Sequence, residues 1–151
     1  MNTKLQGAFV FVYKKTNLLM LSFSKCSQGT AAGHGKFEKF SIDSPDAEIG
    51  AALRRRISDR QDGHYVPQMW KERQAYLSYR KALEEDRGGM SENQFRKYSS
   101  SFNVLLEGGR IEFEVYEMEL SRWVQLAILC LDASDDELGA AVKNAAEYVI
   151  S

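Results

Sequence analysis

Two segments far apart in the chain carry the same pattern, and it is an unusual one. Residues 46–53 read DAEIGAAL and residues 135–142 read DDELGAAV. Acidic residues open each segment, where the positive end of a helix favours them. Ser44 and Ser134 stand just ahead as helix caps. Pro45 takes the first helical position, where its missing N–H costs nothing. Ser134 and Glu137 form an S-x-x-E capping box. Gly50 and Gly139 then fall inside the two helices. A helical glycine costs about 1 kcal/mol relative to alanine, a cost accepted where a side chain would block close packing. The spacing therefore predicts two slim helices lying tightly on a sheet or on each other.

Apolar stripes support this reading. Ile49, Leu53 and Ile57 recur on one helix beside Ala52, with Arg54, Arg55 and Arg56 on its other side. Leu138, Val142 and Val149, with Ala141 and Ala145, do the same on the second. An anion site at the two helix starts is disfavoured, because their acidic first turns would repel a phosphate. The copies lie further apart than the about 20–45 residues of a solenoid repeat. The residues between them do not match, so duplication of a whole unit is not expected.

Strand signals precede each helix. AFVFVY (8–13) and LLMLSF (18–23) flank KKTN and read as a hairpin with Asn17 in its turn. Both strands are apolar on two faces, which suits central or covered positions. SKCSQGTAAGHGKFEKF reads as a glycine-bearing loop, with FEKFSI a short strand at its end. Residues 66–86 read as a helix after Pro67 that buries Trp70, Leu77 and Leu83. RGG stops it, and Ser91 caps a further turn. In FNVLLEGGRIEFEVYEMEL, EGG makes a hairpin turn. Ile111, Phe113 and Val115 alternate with Arg110, Glu112 and Glu114, giving one apolar and one acidic face. WVQLAILCLD (123–132) is a buried strand leading into the second helix. The sum is an α+β fold: one domain over 1–151, a mainly antiparallel twisted sheet packed against helices.

At 151 residues, 44% apolar and 27% charged, the chain has the composition of a soluble globular domain. Its formal charge of -1 excludes a general nucleic-acid binder with a basic excess. The N-terminal apolar run is broken by YKKTN before it reaches the length of a membrane span, so neither a signal peptide nor a transmembrane helix is expected. Cys26 and Cys130 alone make no disulfide framework. The expected compartment is the cytoplasm.

No catalytic constellation emerges. His34 and His64 are the only histidines, and neither has a second ligand at metal-binding spacing. As an acid/base pair with Lys36 or Arg60 they would serve a small nuclease. GTAAGHGK lacks the phosphate-loop pattern, since Phe37 stands where a Ser or Thr is needed. No cofactor or metal is expected. The acidic strand carries more weight. Glu112, Glu114, Glu117 and Glu119, with Tyr116 among them and Trp70 elsewhere, are candidates for contact with a basic protein partner.

SDDELGAAVKNA (134–145), after an apolar strand near the C-terminus, resembles the contact-dependent growth inhibition immunity proteins, whose members carry an S-D-E-E-L-G-type helix start. Ser134, Asp135, Glu137, Leu138 and Gly139 carry the match, and SPDAEIGAALRRRISDR, with Gly50, looks like an earlier turn of the same pattern. The resemblance implies a small cytoplasmic α/β or α+β protein. Such a protein binds the C-terminal domain of a delivered toxin, often a nuclease, one to one and blocks it without catalysis of its own. It carries over no catalytic residues, and implies no direct contact with nucleic acid, membrane or metal. The competing classes are a regulatory or adaptor module and the histidine-dependent nuclease.

Overall fold

The computed structural model describes residues 6–150. The chain runs β1 (Gln6–Tyr13), β2 (Asn17–Lys25), β3 (Ala31–Ser41), α1 (Asp46–Ser58), α2 (Arg73–Asp86), α3 (Glu92–Tyr98), β4 (Ser99–Glu107), β5 (Arg110–Glu117), β6 (Arg122–Cys130) and α4 (Asp135–Ile150). The strands form one six-stranded sheet in the order β3-β2-β1-β4-β5-β6, and every neighbouring pair is antiparallel. The fold is α+β, as the sequence predicts.

This order has an internal symmetry that sequence comparison of the two halves hides. Each half is three antiparallel strands and a helix, with α2 and α3 inserted between. The halves join through β1 and β4, where Val10 faces Phe102 and Ala8 faces Val104. Aligning the hairpin turns places Leu19 at the position of Glu112 and Leu21 at that of Glu114. Both outer pairings are irregular at the same point: β2 with β3 between Met20 and Ser22, β5 with β6 between Phe113 and Glu114. The topology thus repeats although the sequences between the two helices do not match.

One sheet face is covered by the two matching helices. Ala8, Val10, Val12, Leu18, Met20, Phe102, Val104, Ile111 and Phe113 meet Ile49, Leu53, Ile57, Leu138 and Val142 in a single core. α1 packs against β1, β2 and β4, and α4 against β4 and β6. The helices also meet each other, reciprocally. A side chain on Gly50 would come within 1.8 Å of the Asp135 carbonyl oxygen, and one on Gly139 within 1.8 Å of the Asp46 carbonyl oxygen. Asp46 accepts from Lys143 at 2.8 Å, and Asp135 from Arg54 at 3.1 Å. Aspartate, glycine and cation hold the same positions in both helices, so each helix gives its partner what it receives. Arg54 further donates to the carbonyls of Leu131 and Ala133, tying α1 to the segment ahead of α4.

Five local expectations need correction. β6, expected as a buried strand, lies at the sheet edge and buries none of its residues. Residues 31–36 belong to β3 instead of a loop, and the strand expected from FEKFSI is the second half of β3. Asn17 opens β2, and the turn falls on Lys14 and Lys15, both at positive φ. α1 has Pro45, not Ser44, at its N-cap, and no side chain caps it. α2 begins at Arg73 and buries none of its residues; Trp70 is 79% exposed and Leu77 48%. Other caps hold. Ser134 Oγ accepts from the Glu137 N–H at 3.1 Å and donates to its carboxylate, and Ser91 Oγ accepts from the Gln94 N–H. Gly108 and Gly109, at φ 58 and 78, supply the two positive-φ residues of a tight hairpin turn.

Candidate functional site

The second sheet face is treated differently in the two halves. Over β1–β3, Tyr13, Leu19, Leu21 and Phe37 are buried against Phe95 of α3, with Phe11, Leu83 and Met90 packed alongside. Arg87, itself buried, lies 5.1 Å above the Phe95 ring. Over β4–β6, no helix of the described residues covers the corresponding surface.

The residues on that uncovered half follow from the alternation of β5. Ile111 and Phe113 point into the core, so Glu112, Glu114 and Tyr116 point out. Pairing then sets their neighbours. Glu112 lies between Leu105 and Ile128, Glu114 between Asn103 and Gln125, and Tyr116 beside Trp123. The Tyr116 and Trp123 rings meet edge-on with centroids 5.4 Å apart. Trp123 is 53% exposed, Ile128 49% and Tyr116 43%.

The charges on this face are unequally compensated. Glu112 bonds Arg110 at 3.1 Å. Glu114 has no ion-pair partner among the described residues. Partial burial pushes its carboxyl above the usual range, and the negative charges of Glu112 and Glu107 add to that. A half-buried carboxylate beside like charges is a group that gains from a cation.

The remaining candidates lie apart from this face. Glu117 accepts from the Tyr148 hydroxyl of α4, and Glu119 sits in the β5–β6 turn. Both line a groove of about 590 Å³ with Ser100, Met118 and Tyr148 at the strand ends. Trp70 belongs to the connection between α1 and α2. Gln28 donates to the carbonyl of Val66 in that connection at 2.7 Å, which holds it at the β2–β3 end of the sheet. The structure thus groups Glu112, Glu114 and Tyr116, turns Glu117 toward α4 with Glu119 in the turn beyond it, and separates Trp70. It adds Trp123 and Ile128 to the group. Alternation within β6 alone does not reveal them, because the irregularity opposite Phe113 changes which parity faces outward.

The histidines come together, although no sequence spacing suggests it. Their rings lie 5.0 Å apart. His34 is buried, with Nε2 2.8 Å from Ser24 Oγ and Nδ1 3.9 Å from Asp59. Ser24 Oγ also accepts from the Gln61 N–H. Burial lowers the His34 pKa, opposed by Asp59 and reinforced by His64 and Arg56. Ser24 is fully buried, so these bonds fasten β2, β3 and the end of α1 into one corner. Cys26 and Cys130 are both free; one follows β2 and the other ends β6, with three strands between. No group of three or more His, Cys, Asp or Glu that could hold a metal occurs among the described residues. No described helix is long and apolar enough to cross a membrane.

No protein-family model matches the chain, and no curated protein matches it. Its fold does match solved structures. A protein of unknown function from Neisseria meningitidis aligns over 98% of both chains, with a TM-score of 0.66 and 18% identity. A chain of a CdiA-CT/CdiI toxin and immunity complex from Yersinia pseudotuberculosis aligns over 96% of this chain and 98% of its own, with a TM-score of 0.62 and 15% identity. The likeness is one of fold, and it spans nearly the whole chain.

Proposed function

We propose that this protein is an immunity protein, which binds the toxic C-terminal domain of a contact-dependent growth inhibition system in the cytoplasm and neutralises it one to one. The observation that carries the reading is the end-to-end fold likeness to a chain of a toxin and immunity complex. The C-terminal signature fits it physically. Ser134, Asp135, Glu137, Leu138 and Gly139 cap, pair and pack α4, and so maintain the scaffold and leave the other sheet face for a partner. An acidic sheet face suits a toxin that acts on nucleic acid, because a phosphate-binding domain is commonly basic.

The protein acts by binding, without catalysis. Support comes from the histidine corner, where the one hydroxyl held by His34 is fully buried. The test is co-expression with the toxin domain encoded beside the gene. Growth rescue and a purified one-to-one complex are expected; absence of both would sink the immunity reading. The purified protein is expected to leave RNA and DNA intact, and a cleavage activity abolished by His64→Ala would establish the nuclease instead.

A further inference from the structure

The two halves of the sheet are built alike, yet only one is covered on the second face. In the first half, Leu19 and Leu21 lie beneath α2 and α3, which bring an aromatic ring and a guanidinium together, Phe95 under Arg87. In the second half, the same positions hold Glu112 and Glu114. Around them stand Trp123, Ile128 and Tyr116, each more than two-fifths exposed. Exposed aromatic side chains on a regular sheet are the usual anchors of a protein interface.

We propose that the face formed by β4, β5 and β6 seats an arginine-bearing segment of a protein partner, in the position that α2 and α3 occupy over β1–β3. This rests on the immunity reading, and specifies the chemistry of the toxin surface that reading requires. A guanidinium suits the place better than an ammonium. It forms two parallel bonds to a carboxylate, and its plane stacks on an aromatic face. Glu114 supplies a carboxylate with no ion pair of its own among the described residues. Trp123 and Tyr116, meeting edge-on, supply the ring face. Glu112 is already held by Arg110 and contributes field more than contact.

The probe is the toxin domain encoded beside the gene, titrated against the full chain at two salt concentrations. Glu114→Gln is expected to weaken binding about tenfold and to flatten its salt dependence; a charge-assisted bond of ordinary strength accounts for that factor. Trp123→Ala is expected to cost about tenfold with little change in salt dependence. Glu114→Lys should exceed both. Thermal unfolding of each variant checks that the fold survives, and the neutral, partly exposed glutamine serves where the lysine does not fold. Wild-type affinity in both Glu114→Gln and Trp123→Ala would overturn this surface while leaving the immunity reading standing. A toxin domain that fails to bind the wild-type chain would overturn both.

Discussion

The reciprocal glycines give the sharpest prediction. In an exposed helix interior, Gly→Ala stabilises by about 1 kcal/mol through helix propensity. Here the added methyl group meets backbone instead of solvent. At Gly50 it would lie 1.8 Å from the Asp135 carbonyl oxygen, where real contacts of this kind are essentially never under 3.0 Å. The helices must therefore separate by about 1.2 Å, the gap between those two distances. A backbone carbonyl inside a helix cannot swing aside as a side chain does. Overpacking of this kind costs about 1–3 kcal/mol, and a contact with backbone belongs at the top of that range. Against the propensity gain, the net expectation for Gly50→Ala is a loss of about 2 kcal/mol. For a chain of this length that lowers Tm by about 4–8 °C. Gly139→Ala should match it, because its contact with Asp46 is equally close.

The double variant tests the geometry more severely. Once one methyl has moved the helices apart, the second finds room already made. The two losses should then add to clearly less than their sum, with a coupling of at least about 0.5 kcal/mol. Urea unfolding at fixed m-value measures all three variants. A Gly50→Ala protein more stable than wild type, by the propensity gain alone, would refute the close approach. Strict additivity would refute the shared contact.

Three further outcomes follow from named groups. Arg54→Ala removes bonds to Asp135 and to the Leu131 and Ala133 carbonyls and should cost about 1–2 kcal/mol; Lys143→Ala removes a single, partly exposed ion pair and should cost at most about 1 kcal/mol. Equal losses in denaturant titration would contradict this asymmetry. Glu114→Gln should stabilise the free protein at neutral pH: the folded-state pKa is raised, so ionisation weakens the fold as pH climbs through it, and the gain should vanish at acid pH, as thermal melts across pH would show. His34 has the opposite sense. Its folded pKa lies below the ordinary 6.5, so its contribution is complete above that value and is lost as pH falls through the folded pKa. A His34→Gln variant with an unchanged stability slope between neutral and mildly acid pH would refute the assignment.

What the sequence reveals, and what it hides, follows from where each signal lies. The alternation of β5 is legible because one face is core and the other is solvent. The capping box of α4 is legible because both partners are local. β3 is not, because its glycines imitate a loop. Gly33 sits under the Leu21 side chain, where a methyl group would approach within 2.5 Å, and Gly35 takes positive φ at the irregularity beside Leu21. These glycines permit close approach within a strand. Trp70 and Leu77 mislead for another reason: periodicity registers an apolar stripe, yet α2 touches the molecule mainly through Leu83 and its C-terminal end. The histidine corner depends on a contact between β3 and the segment after α1, which no spacing encodes.

The symmetry of the halves was the deepest feature concealed, and its concealment has a physical cause. Core positions facing α1 and α4 tolerate any apolar side chain of suitable volume, so Leu18 and Met20 correspond to Ile111 and Phe113 without recognisable likeness. The opposite face differs in chemistry as well, with Leu19 and Leu21 in one half and Glu112 and Glu114 in the other. The helix contact alone is alike in wording, because two backbones meeting at glycine leave one solution for both partners. The conspicuous repeat therefore marks the scaffold, where constraint is strongest. The proposed recognition surface is the one where the halves differ most. In the proposed binding mode a second cover would seat there, and acids in place of leucines suit a cover that brings positive charge.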